Sequence, residues 1–109
     1  MAAEIIRTLD HPLVLAHTLR HEADILREQQ KFDEAETIYG EVLTLYRANS
    51  EHRLLDLANA LRGYALLKAA VGNNSESTML WQEAGALYET LGVEAGVAES
   101  RENLARLRP

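Results

Sequence analysis

A block of nine residues returns after forty-two positions: Leu15-Ala16-x-x-Leu19-Arg20-x-x-Ala23 reappears as Leu57-Ala58-x-x-Leu61-Arg62-x-x-Ala65. The correspondence continues from Tyr39, Val42, Leu45 and Tyr46 to Trp81, Ala84, Leu87 and Tyr88. A period of this length marks a stacked array of supersecondary units, each too small to bury its apolar face alone. Within each copy the apolar residues recur at three- and four-residue steps, the period of a helix. No segment alternates with the period of two that a half-buried strand requires. The expected fold is therefore all-α, built of antiparallel helix-turn-helix repeats with about five helices.

Local signals divide the chain. Residues 1–9 form a short helix-capable segment, and Asp10-His11-Pro12 is a start signal, because proline is tolerated in a first helical turn. Leu15, Ala16, Leu19, Ala23 and Leu26 then predict a helix over about 12–29. After Gln29-Gln30-Lys31-Phe32, Asp33 is the expected N-cap of a second helix, with Glu36 completing a capping-box-like pair. That helix carries Ala35, Ile38, Tyr39, Val42, Leu43, Leu45 and Tyr46 and runs to about Arg47. A third helix is expected over about 51–71, with Leu54, Leu57, Ala58, Leu61, Ala65 and Leu66 on its apolar side. Gly72 is placed to take the left-handed conformation past its end. Ser75 or Ser77 is the expected start of a fourth helix, which Gly92 closes after Leu80, Trp81, Ala84, Leu87, Tyr88 and Leu91. The last helix, about 93–107, has a thinner stripe of Val97, Leu104, Ala105 and Leu107, as befits a terminal cap. The domain organisation is one domain over 1–109: repeat one at about 11–50, repeat two at about 51–92, and the capping helix.

Composition narrows the function classes. There is no cysteine, which excludes disulfides, thiol catalysis and cysteine-ligated zinc. The net charge of −6, with Lys31 and Lys68 the only lysines, argues against a nucleic-acid partner, which needs clustered basic residues. No apolar run approaches the roughly twenty residues of a membrane span. Met1–Arg7 lacks the basic head and apolar core of a secretory signal, so a cytoplasmic location is expected and no membrane partner. No glycine-rich phosphate loop or Ser–His–acid order is present, so no enzyme and no cofactor are expected.

The packing residues carry a family likeness. His11-Pro12-Leu13-Val14-Leu15-Ala16 with Leu19, followed by Gln29-Gln30-Lys31-Phe32-Asp33-Glu34-Ala35-Glu36-x-x-Tyr39, resembles a tetratricopeptide repeat. The likeness is to the kinesin-light-chain-like subgroup, whose repeats are of this length. Repeat two keeps His52, Leu57, Ala58, Leu61, Ala65, Trp81, Ala84 and Leu87 but has Asn74 for the aromatic and Ser77 for an alanine. Arg101-Glu102-Asn103-Leu104-Ala105-Arg106-Leu107 resembles the first helix of a third repeat. The resemblance implies a right-handed superhelical stack. In it, Ala23, Ala35, Ala65 and Ala84 allow close helix approach, Tyr39 and Trp81 fill the space within pairs, and Phe32 wedges the turn. It implies a protein or peptide partner bound along a concave groove lined by the first helix of each pair.

On that likeness the groove candidates are His17, Arg20, His21, Asp24 and Arg27 in repeat one, and Asn59, Arg62, Gly63, Leu66 and Ala69 in repeat two. The terminal helix adds Glu99, Glu102, Asn103 and Arg106. Where family members often carry an asparagine that binds ligand backbone, this chain has His21, Gly63 and Asn103. Arg20 and Arg62 recur at one position and suit acidic ligand groups; the plainer reading pairs them with nearby acids such as Asp24. His17 and His21, four residues apart, have a metal-binding spacing but lack a convincing third ligand, so no metal site is expected. Glu22 stands where the family has leucine, and partial exposure or an arginine partner is expected for it. The function expected is a non-catalytic protein–protein interaction scaffold. The alternatives are self-assembly as a homodimer through the array ends, and a metal or small-ligand site at His17/His21.

Overall fold

The computed structural model describes residues 12–49 and 53–108. These contain five α-helices and no strand: α1 (Pro12–Glu28), α2 (Phe32–Ala48), α3 (Leu54–Ala70), α4 (Asn74–Leu91) and α5 (Glu94–Leu107). The all-α reading holds. None of these helices is long and apolar enough to cross a membrane. The chain divides into two compact units, with the boundary between Arg53 and Leu54, so that α1 and α2 belong to the first and α3, α4 and α5 to the second. The expected N-terminal helix over 1–9, the Asp10/His11 cap, and residues 50–52 lie outside the described residues.

Three helices end the same way. Gln30 N–H donates to the Arg27 carbonyl (3.0 Å) and Lys31 N–H to the Leu26 carbonyl (2.8 Å). Gly72 and Asn73 repeat this on Ala69 (3.1 Å) and Lys68 (2.8 Å), and Gly92 and Val93 on Glu89 (3.2 Å) and Tyr88 (2.9 Å). This double bond is the Schellman motif, which needs a left-handed residue just past the helix. Gly72 (φ 84°) and Gly92 (φ 72°) supply it as expected, whereas Gln30 (φ 62°) adopts it despite its Cβ. Gln30 and Gly72 are themselves forty-two positions apart.

Two expected starts are corrected. The first residue of α2 is Phe32, with Lys31 as N-cap and no side-chain cap bond, so Asp33 and Glu36 make no capping box. The Lys31 carbonyl already accepts Ala35 N–H at 3.0 Å, which leaves Asp33 inside the first turn, where with Glu34 it complements the helix dipole. For α4, Asn73 is the N-cap instead of Ser75 or Ser77: its Oδ1 accepts Glu76 N–H at 3.2 Å. Ser77 is fully buried, and its hydroxyl donates to the Ala65 carbonyl at 2.8 Å. The helix begins immediately after the Schellman turn, two residues sooner than a serine cap would allow.

In the first unit, α1 buries Leu15, Ala16, Leu19 and Ala23, and α2 buries Ala35, Tyr39, Val42 and Tyr46. In the second, Leu57, Ala58, Leu61 and Ala65 of α3 are joined by Trp81, Ala84 and Tyr88 of α4. Ala23, Ala35, Ala65 and Ala84 and the two aromatics Tyr39 and Trp81 are all fully buried. Bonds from Ser77 to Ala65 and from Tyr88 to Asn59 span 12 and 29 residues across one connection, so α3 and α4 run antiparallel. Leu54 and Leu91, expected on apolar stripes, are exposed at helix ends, while Ala60 and Leu67 are fully buried, outside the expected stripe. Small residues bring α4 and α5 together. Gly96 lies under the Tyr88 ring, and the Ser100 Cβ would come within 3.0 Å of a Cβ on Gly85. The buried residues of α5 are accordingly Gly96 and Ser100, with Val97 and Leu104 only half-buried.

Candidate binding surface

In the first unit the sequence candidates form one connected chain along α1. The Nε2 atoms of His17 and His21 are 3.2 Å apart, and Arg20 Nη2 approaches His21 Nε2 at 3.5 Å. Arg20 Nη1 donates to Asp24 Oδ2 at 3.0 Å, and Arg27 Nη2 lies 3.9 Å from Asp24 Oδ1. The Tyr39 hydroxyl donates to the same Oδ1 from α2. Asp24 thus gathers two guanidiniums and a phenol and ties α1 to α2. The plainer reading of Arg20, an i,i+4 pair with Asp24, is what the structure shows; the side chains are only 14% and 23% exposed. Burial, then the hydrogen bond to Asp24 and its charge, hold the Tyr39 phenol well above the ordinary tyrosine range, against the opposing pull of Arg27 and Arg20. Glu22 is exposed, as expected.

Arg62 fares differently, although it occupies the equivalent position. Four residues after it stands Leu66, half-buried, where repeat one has Asp24. Arg62 reaches instead to Glu99 on α5, thirty-seven residues away, with Nε to Oε1 at 2.6 Å and Nη2 to Oε2 at 3.0 Å. Two parallel N–H···O bonds of this kind fix both distance and orientation. The pair is 40% and 34% exposed, so it lies at the surface. Asn59 accepts the Tyr88 hydroxyl at 2.7 Å. Asn103 turns its Nδ2 back on the Glu99 carbonyl, at 2.9 Å. Asn59, Arg62, Glu99 and Asn103 are therefore each held by a named bond. Gly63 is buried, which withdraws it from any groove, and Ala69 is exposed.

Periodicity could not reveal Glu99 as the partner of Arg62, since the contact joins two helices with no fixed spacing. The signal available was the loss of the acid at position 66. Two hollows of about 320 and 280 Å³ flank α4 and α5, both touching Glu89, Val97 and Arg101, and neither is lined by any of the groove candidates. Their volumes lie at the lower limit of the roughly 300–1,000 Å³ of small-molecule sites. Among the described residues no group of three or more His, Asp or Glu is placed to hold a metal ion. Comparison of the chain with protein-family models, curated proteins and solved structures finds no match in any of the three.

Proposed function

We propose that the chain is a non-catalytic protein–protein interaction scaffold of the tetratricopeptide kind, which takes a peptide or helix of a protein partner on the polar face shared by α3 and α5. The observation that carries this reading is the Arg62–Glu99 fork. It puts side chains of two helices on one solvated surface and orients a guanidinium before any ligand arrives. A pre-oriented group loses less conformational freedom on binding than a mobile one. Asn59 and Asn103 flank it: with Oδ1 of Asn59 on Tyr88 and Nδ2 of Asn103 on the Glu99 carbonyl, Asn59 offers chiefly its Nδ2 donor and Asn103 its Oδ1 acceptor to a peptide backbone. Leu66, half-buried beside Arg62 in α3, supplies apolar contact.

The experiment is selection of peptides from a random library on the full chain, followed by binding to Arg62→Ala/Asn103→Ala. Both side chains are partly exposed, so the variant should keep its helical circular dichroism. The expected result is at least a tenfold loss of affinity, about 1.4 kcal/mol. Undiminished binding contradicts the assignment of this face. Light scattering down to low micromolar concentration should return a monomer; a stable dimer whose dissociation accompanies peptide binding would make self-assembly the primary role.

A further inference from the structure

We propose that His17 and His21 form a bidentate site for a divalent first-row metal ion. The two side chains are exposed, four residues apart on α1, with Nε2 atoms separated by 3.2 Å. Zinc–nitrogen bonds of about 2.0–2.1 Å at a tetrahedral angle hold two imidazole nitrogens about 3.3 Å apart. A right-angled pair of similar bonds, as in tetragonal copper or nickel, holds them about 2.9 Å apart. The observed separation, 3.2 Å, falls between the two and suits either geometry. The rings meet edge to face, with centroids 4.6 Å apart and planes at 80°. What must change on binding is ring tilt. An ion bonded to both nitrogens sits about 1.3 Å to one side of the line joining them, and the histidine χ2 torsion is soft.

The proton balance is simple. A hydrogen bond between the two Nε2 atoms needs a proton on one of them. For the ion to take a lone pair from each neutral ring, that proton moves through solvent to Nδ1 of the same ring. Asp24, one turn further along, does not complete the shell, because Arg20, Arg27 and Tyr39 already occupy its carboxylate. Two coordination positions are left for water or for a donor from another molecule, as in an open site. The Arg20 guanidinium near His21 opposes the ion, but its Nη1 is drawn to Asp24 and the chain as a whole is acidic.

Calorimetric titration of the full chain with zinc chloride tests this, using wild type, His17→Ala, His21→Ala and His21→Gln. The glutamine keeps a hydrogen-bonding partner for His17 but no imidazole. Chelation predicts that wild type binds at least tenfold more tightly than each variant, and that the variants resemble one another. It also predicts that excess zinc raises the thermal midpoint of wild type and leaves that of His21→Gln unmoved. Equal affinity in wild type and single variants overturns the proposal and leaves a hydrogen-bonded surface pair. All substitutions are at exposed positions, and native circular dichroism in each confirms that affinity is being compared between folded chains.

Discussion

Replacing glycine by alanine should have opposite effects at two positions in this chain. Gly40 lies in the middle of α2 and Gly96 in the first turn of α5. Inside a helix alanine is favoured over glycine by about 0.8–1.0 kcal/mol, and by less near an end. A Cβ at Gly40 would meet nothing within 4 Å, so Gly40→Ala should stabilise by about 0.5–1 kcal/mol. A Cβ at Gly96 would lie 2.4 Å from Tyr88 Cγ and 2.6 Å from both Cδ atoms. Carbon atoms pack at roughly 3.5–4.0 Å, so ring or helix must give by about 1 Å. The ring has little room: Tyr88 is 3% exposed, and its hydroxyl is held by Asn59 at 2.7 Å. Overpacking costs about 1–3 kcal/mol, and losing the Tyr88–Asn59 bond about 0.5–1.5 kcal/mol more. After the propensity gain, the net loss is about 1–4 kcal/mol. Urea unfolding followed by Trp81 fluorescence reads this out, since the only tryptophan lies in α4 of the same unit. The midpoint should fall by on the order of 1 M. In a Tyr88→Ala background the same substitution should cease to destabilise. A Gly96→Ala midpoint at or above wild type would refute the packing described for α4 and α5.

The remaining expectations concern the first unit and its turn. Gln30→Gly should stabilise by about 1 kcal/mol in chemical denaturation, because the left-handed conformation at φ 62° strains any residue with a Cβ. Asp24→Ala should cost about 2–3 kcal/mol, since it leaves Arg20, Arg27 and the Tyr39 hydroxyl without their shared acceptor; in that background Tyr39→Phe should cost little. The Tyr39 phenol is raised in the folded state, so its contribution is intact below the unfolded tyrosine value of about 10 and is lost as pH rises beyond it. Above pH 10 wild type should therefore lose up to about 1.4 kcal/mol per pH unit more than Tyr39→Phe; parallel slopes would show that Tyr39 is not held as described.

Burial has a period, and what has a period could be read from the residues. The repeat at forty-two positions located Ala23 and Ala65, Tyr39 and Trp81, because each must meet a neighbouring helix at the same point of each copy, while the turn at Gly72 was legible from glycine's tolerance of the left-handed conformation. Capping was less legible, since Asp33, Ser75 and Ser77 are all acceptable cap residues, and the choice falls to the preceding turn, which puts Lys31 and Asn73 at the caps. The α4–α5 contact was hidden because it uses Gly96 and Ser100, which make no apolar stripe. Polar partners were least legible. Arg20 finds an acid on its own helix and Arg62 finds Glu99 on another; repeat one has Asp24 where repeat two has Leu66, and Leu57 stands forty-two residues before Glu99.

The most direct test of the proposed scaffold is to map a library-selected peptide on the isotopically labelled chain by backbone amide chemical shifts. The account predicts perturbations clustered around Asn59, Arg62 and Leu66 in α3 and around Glu99 and Asn103 in α5. Shifts confined to the exposed apolar residues Val71, Met79 and Leu91, with α3 and α5 otherwise undisturbed, would contradict it.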